Sequence, residues 1–421
     1  MFYFLWLLAL YLPFQVALNP GQGVDLASIR IFILALFLLW LAQSLKNKKI
    51  FINKNIETAL VLTFLFINLF SLVIAKNQDW GFRKLFFLLS IFPVYFVASY
   101  LLNNENRAIK LTKALIFSGA AIGLVGLVQF ALQFLFGLNN TYKLWAKVVT
   151  PFLGNSFSRE VLMNPSWLVN IGGKTYMRAI AVFPDPHMLA FYMGMLVPLN
   201  IALIFILPGK KRFFSATLAV LLITDLLTFS RGGYVGLAVG AVFILIFFWK
   251  KINKKYKIAI VSLIGAGLLL LIFPNPVSQR AYSTFNLNEG SNQGRIQTWE
   301  EALKVIGNNP VLGVGLGNYP LAVNPLADYR EPIYAHNAYF DIAAETGILN
   351  ALIWIWLLMA TILNLIKKSK RNLLFLGAAA SLVIFATHSL VETSIYSAQV
   401  LPLLLIIMSF GNSQFAYEKK N

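Results

Sequence analysis

Polar residues in this chain are gathered into short clusters that separate long, nearly uninterrupted apolar runs. The runs lie at about 2–16, 28–45, 57–75, 83–102, 111–137, 187–208, 213–230, 232–249, 257–274, 346–366, 372–390 and 396–411. Most are near the ~20 residues that a helix needs to cross the hydrocarbon core of a bilayer. Inside lipid every backbone group must be satisfied within the chain, which leaves helices as the spanning element for runs of this length. The pattern therefore predicts an all-α polytopic membrane protein with about twelve transmembrane helices, a single integral membrane domain over 1–421. The first run has no basic segment before it and no small-residue cleavage site after it, so it reads as a retained span rather than a signal peptide. Residues 1–210 and 211–421 do not echo one another.

Composition sharpens this reading. Hydrophobic types make up 58% of the 421 residues, charged types 12%, and there is no cysteine. The last fact excludes disulfide frameworks, thiolate catalysis, zinc–thiolate sites and iron–sulfur clusters together. A net charge of +19 would point to nucleic acid in a soluble protein, but here placement decides. With a cytoplasmic N-terminus, most of the Lys and Arg residues fall in the short even-numbered connections and the tail. They are Lys46, Lys48, Lys49 and Lys54; Arg107, Lys110 and Lys113; Lys210, Lys211 and Arg212; Lys250, Lys251, Lys254, Lys255 and Lys257; Lys367, Lys368, Lys370 and Arg371; Lys419 and Lys420. That is the positive-inside bias, with both termini cytoplasmic. The charge is thus accounted for by topology and contact with anionic membrane lipids, without nucleic acid.

Two outward connections are long: 138–186, the first outer loop, and 275–345, the second. Long loops on a helical bundle commonly carry function. The second holds an amphipathic helix, Arg295 to Ile306, in which Ile296, Trp299, Leu303 and Ile306 share a face.

Residues able to do chemistry collect toward the outer ends of the runs. If the tenth span begins near His336, the imidazole sits at its mouth, with Phe340, Ala343 and Gly347 on the same face. A helix N-terminus disfavours the imidazolium, and a neutral ring can take a proton from a hydroxyl. The competing reading is that His336 and Asn337 only cap a helix. Between two close runs, Gly232 and Gly233 supply a tight turn beside Arg231, with Asp225 as its possible internal partner. Arg231 either snorkels to lipid phosphate or grips the phosphate of a substrate with its planar fork. Arg295 begins the loop helix, and Gly313, Gly315 and Gly317 follow it. No βαβ unit surrounds these glycines, so a tight loop against a ligand or helix ends is expected rather than a nucleotide loop. Arg178 is a third outward arginine, with a salt bridge to Asp185 as its plain alternative. His388 and Glu392 support the site or merely pack, and His187 reads as a helix-start residue. No His and carboxylate set has metal-ligand spacing, and no cofactor is implied.

Taken together, SerArgGly at 230–232, Arg295 and Trp299, ProValLeuGlyValGlyLeuGlyAsnTyr at 310–319, HisAsn at 336–337 and GluThrGly at 345–347 resemble the O-antigen ligase and polymerase family. The stretch ArgAlaIleAlaValPheProAspProHis from Arg178 is similar to the family's segment before a helix, although Asp185 and His187 are less typical of it. The resemblance implies a GT-C type membrane glycosyltransferase on the outer face of a bacterial plasma membrane, with a glycan on undecaprenyl pyrophosphate as donor. It implies that neither metal nor nucleotide sugar is needed. The family's essential histidine falls on His336, and its phosphate-binding arginines on Arg231 and Arg295, with Arg178 third; Asn337, Glu345, Gly315, Gly317 and His388 would support the site. Ligase and polymerase differ in acceptor, a lipid A core or a second lipid-linked glycan, and the chain does not separate them; the large second loop favours ligase. The sequence leaves the oligomeric state open. A lipid-linked glycan transporter is the alternative of another class; it would place ionisable groups near the midplane.

Overall fold

The structure is a computed structural model that describes residues 1–21, 24–163, 166–249, 257, 273–283, 286, 289–329, 331 and 333–413. Helices stand over eleven of the twelve predicted runs. The run predicted at 257–274 lies for the most part outside the described residues. Among those residues seven helices are long and apolar enough to cross a membrane: Ser28–Lys46, Ile56–Ile74, Gln78–Leu101, Glu105–Phe136, Pro186–Ile206, Arg231–Phe248 and Ile348–Ser369. Phe2–Phe14, Leu373–His388 and Val400–Asn412 are shorter apolar helices. Leu373–His388 and Val400–Ser409 are apolar almost all round and buried on nearly every side, as expected for helices enclosed by others. This is a helical membrane protein.

The two long connections carry more regular structure than the one amphipathic helix expected in the second. Residues 138–186 contain the helices Leu138–Leu153 and Asn155–Met163 and a hairpin pairing Leu168–Ile171 with Lys174–Met177. Thr141, Trp145, Val149 and Leu153 recur every four residues and bury one stripe of Leu138–Leu153, despite Pro151 within it. The hairpin turns on Gly172 and Gly173 at φ +59° and +79°, the left-handed conformations that a two-residue turn needs to follow the strand twist. A second small hairpin, Ala17–Gly21 with Val24–Ala27, follows the first helix.

The tenth span also departs from expectation. Asn337 caps a short helix, Ala338–Thr346, by accepting from the amides of Tyr339 and Phe340 at 3.0 and 3.2 Å. Gly347 then breaks the path at φ +91°, and Ile348–Ser369 restarts it. His336 stands outside the helix at φ +48°. The expected face of His336, Phe340, Ala343 and Gly347 therefore does not form. A side chain at Gly347 would overlap the Val311 carbonyl, and the Val314 amide donates to Ala344 O at 2.8 Å.

One close packing contact positions the site. Gly232, Gly236 and Gly240 recur every four residues on Arg231–Phe248, and this glycine ridge lies against Ile384 and His388 of Leu373–His388. Small residues at this spacing let helix backbones approach in an environment where apolar burial alone does not drive association. The reading of Gly232 and Gly233 as the turn itself is corrected. They are helical, and the turn is made by Phe229 at φ +49°. A Cβ at Gly232 would overlap His388 Cδ2, whereas one at Gly307 meets nothing within 4 Å. Overpacking costs about 1–3 kcal/mol, and Gly to Ala in an open helix position gains up to about 1 kcal/mol. Gly232→Ala should therefore lower the thermal midpoint of the purified protein, while Gly307→Ala leaves it unchanged or raises it.

Candidate active site

All three histidines of the chain, His187, His336 and His388, gather around one carboxylate, Glu392. Asp185 caps Pro186–Ile206, accepting from the amides of His187 and Met188 at 2.8 and 3.0 Å. With Pro186 at the first position, this fixes His187 in the first turn. His388 is the last residue of Leu373–His388 and stacks on Phe191, ring centres 3.7 Å apart. Ser230 caps Arg231–Phe248 and puts its hydroxyl between two rings, 2.9 Å from His187 Nδ1 and 3.2 Å from His388 Nε2. Three segments far apart in sequence are thereby tied through one hydroxyl.

Glu392 belongs to the irregular stretch after Leu373–His388. Its Oε1 lies 2.8 Å from His336 Nδ1, and its Oε2 lies 3.4 Å from Arg295 Nη2 and 3.7 Å from His187 Nε2. The opposite side of the site pins this stretch down. The Ala338 amide donates to Ser389 O at 3.0 Å, Arg295 Nε donates to Val391 O at 3.1 Å, and Thr393 donates to Asp341. Asp341 also accepts from the Ala335 amide at 2.9 Å. Glu392 is nearly buried, with 9% of its side chain exposed, while 41% of His336 is exposed. Engaging Nδ1 leaves Nε2 as the ring nitrogen open to a reacting group.

Arg295 is not at the start of its helix, as the sequence suggested, but in the second turn of Gly290–Asn308. That helix lies on Ala338–Thr346 through Trp299, edge-on to Phe340, and through buried Ala302 and Ile306. Ile296 and Leu303 remain exposed, so the predicted stripe splits.

Arg231 follows the Ser230 cap directly. Its partner is Glu289, not Asp225. It also donates to Ser291 and, at 3.0 Å, to Ser283 O. Arg280 joins the same carboxylate at 3.0 Å, which makes a pair of guanidinium groups on one anion. Asp225 is buried, and neither carboxylate oxygen has a hydrogen-bond partner. Arg178 is buried behind this pair; it donates to Thr228 O at 2.6 Å and Ser166 O at 3.0 Å, carbonyls in place of the expected Asp185. Gln129 and Gln133 each bond the backbone around it in both directions: Gln129 with Arg178 O and the Ile180 amide, Gln133 with Met177 O and the Met177 amide. Arg178 thus fixes the turn from which Arg231 projects.

The supporting residues divide. His388 lies in the cluster and Asn337 at its edge. Glu345 pairs with Lys84 at 2.7 Å and accepts from Tyr396, bracing Ala338–Thr346 away from the imidazoles. Gly315 and Gly317 press the loop onto residues 75–81, where a Cβ would overlap Ala75 or approach Trp80 O. They bring the loop backbone against the start of Gln78–Leu101, the helix-end packing that was one of the two expected uses. Sequence reasoning undervalued His187 and Glu392, had Ser230 only as part of the SerArgGly motif, and did not raise Arg280 or Glu289. An acidic residue close to the end of an apolar run was the available signal for Glu392.

The electrostatics alter one expectation. Glu392 raises the His336 pKa above its ordinary value, opposed by burial and by Arg295, so the ring is not held neutral by a helix end. Burial alone would raise the Glu392 carboxyl, but His336, His187 and Arg295 hold it well below its ordinary value. Glu289 behaves similarly: burial opposes ionisation, and Arg231, Ser291 and Arg280 lower its pKa. A carboxylate on Nδ1 is the arrangement that fixes a histidine tautomer and supports the charge formed when Nε2 accepts a proton.

Residues 216–355 match the family model described as O-antigen ligase. The matched stretch is a third of the chain; it contains SerArgGly at 230–232, Arg295, the glycine loop and His336, and the similarity supports the O-antigen ligase-like family. That family comprises glycosyltransferase-like enzymes, which supports an enzymatic role. His187, His388 and Glu392 lie outside the matched stretch. No curated protein matches the chain.

A raised pKa has a definite sign. The His336–Glu392 contact stabilises the fold fully below the unfolded histidine pKa, and that contribution is lost as pH rises through the folded value. An NMR titration of His336 should give a midpoint above 6.5, and Glu392→Gln should lower it. The stability advantage of the parent over that variant should shrink from neutral to alkaline pH.

Proposed function

We propose that this protein is a metal-independent, inverting glycosyltransferase of the O-antigen ligase type. It moves a glycan from undecaprenyl pyrophosphate to a hydroxyl acceptor such as a lipid A core, on the outer face of the bacterial plasma membrane. The observation that carries the reading is the convergence at Glu392: an exposed imidazole with Nδ1 held at 2.8 Å and an arginine on the same carboxylate.

In this reaction His336 Nε2 takes the proton of the acceptor hydroxyl as its oxygen attacks the anomeric carbon. The bond from that carbon to the phosphate oxygen breaks, and its electron pair leaves with the lipid pyrophosphate. One displacement inverts the anomeric centre. Glu392 holds the tautomer and balances the imidazolium, and the raised His336 pKa moves the range in which the ring is a free base to higher pH than for an ordinary histidine. Arg295 and the Arg231–Arg280 pair would neutralise the pyrophosphate and the charge that grows on the leaving oxygen. The donor would have to compete with Glu289 for that pair. Arg178 acts from behind by fixing the turn that carries Arg231. The Lys and Arg bias of the short connections supports cytoplasmic termini for this reading.

A polymerase of the same family would use the same groups with a second lipid-linked glycan as acceptor. Purified protein in proteoliposomes, supplied with labelled lipid-linked oligosaccharide and each acceptor, separates these outcomes by mass spectrometry. Ligation gives labelled lipid A core, polymerisation gives a doubled chain on the same lipid, and translocation without either product contradicts the enzyme reading. A positioned base contributes about 10²- to 10⁴-fold, so His336→Ala should lose about that much turnover without a change in melting behaviour.

A further inference from the structure

The end of the bundle away from these histidines holds a cavity that the transfer reaction does not use. Helix Glu105–Phe136 measures the separation: Gln129, toward its C-terminal end, bonds Arg178 O, and Lys113 stands near its start. At a rise of ~1.5 Å per residue, they are about 24 Å apart. Helix Lys211–Leu227 runs between the same two levels in reverse, from Lys211 to the turn at Thr228, whose carbonyl binds Arg178. At the far level the first helix, the start of Glu105–Phe136 and residues 208–214 enclose about 1060 Å³.

Two features of the lining point to an occupant. Lys110, Lys113, Lys210 and Arg212 border the cavity, and Lys113 faces both Lys110 and Lys210, cation against cation. Among the described residues none of these four forms an ion pair with a carboxylate. Like charges held together need a counter-anion, and basic pockets between membrane helices suit anionic lipid headgroups. The walls beside them are apolar: Trp6, Phe117 and Phe213 line the cavity, the last two 58% and 50% exposed. A soluble phosphate would meet the charge and leave those rings bare.

We infer that this cavity binds one anionic phospholipid. Its headgroup phosphate sits among the four cations, and its acyl chains lie along Trp6, Phe117 and Phe213. The site stands independently of the transferase reading, because none of its residues takes part in that chemistry.

Native mass spectrometry of the full chain, released from detergent containing phosphatidylglycerol or phosphatidylcholine, tests the inference. One phosphatidylglycerol should be retained with a preference of about tenfold or more, and Lys113→Ala with Lys210→Ala should reduce retention by at least that factor. Lys113→Arg with Lys210→Arg should keep it. Equal retention of the two lipids overturns the inference, as does a folded double-alanine variant that still holds phosphatidylglycerol. So does complete displacement by millimolar glycerol 3-phosphate, which would make the site one for free anions. Should the alanine variant not fold, the headgroup preference of the parent chain decides alone.

Discussion

A carboxylate withdrawn from water must be neutralised by its neighbours, and at Glu392 that requirement falls on groups drawn from three other parts of the chain. His187 opens one helix, Arg295 belongs to a loop helix, His336 stands in a left-handed turn, and Glu392 itself follows the end of Leu373–His388. None of these groups is held in place by its own segment alone. The Ser230 hydroxyl adds the third imidazole and the helix that begins with Arg231. The rest of the site follows from this charge balance. Loss of Glu392 would leave a set of cations and imidazoles with no common partner.

The bundle serves that balance through its helix ends. Asp185, Ser230 and Asn337 are caps, and each sits beside a group with possible chemistry: His187, Arg231 and His336. Caps fix the first turn of a helix within a narrow range of geometry, so the capping residues also aim the functional side chains. The glycine ridge of Arg231–Phe248 completes the arrangement by bringing the Ser230 cap within reach of His388. Strain is kept nearby: Phe229 and His336, at φ +49° and +48°, are non-glycine residues in a region that the surroundings must impose.

Much of this was legible from sequence. The apolar runs locate the helices because a bilayer demands length and continuity, and His336, Arg231 and Arg295 stand out because ionisable groups beside such runs need a reason. The break at Gly347 was hidden, since a glycine within an apolar stretch does not announce a left-handed conformation. Glu392 was visible as an acid near a helix end, but its partners are 56, 97 and 205 residues away. No local periodicity reports a contact across such distances. Arg280 and Glu289 were hidden for a related reason: an ion pair between the end of the short helix Pro276–Tyr282 and the cap of the next helix leaves no repeat. The helix Leu138–Leu153 was missed because its buried stripe is short and Pro151 lies within it.

The central claim is that Glu392 acts through His336. A double-mutant cycle of transfer kcat/KM for Glu392→Gln, His336→Ala and the double variant measures that dependence, because residues that act as a unit are not additive. The account predicts that the double variant is no slower than His336→Ala within about twofold, since a tautomer-fixing carboxylate has nothing left to fix. Fully multiplicative losses would mean that the two residues act independently, and would contradict it.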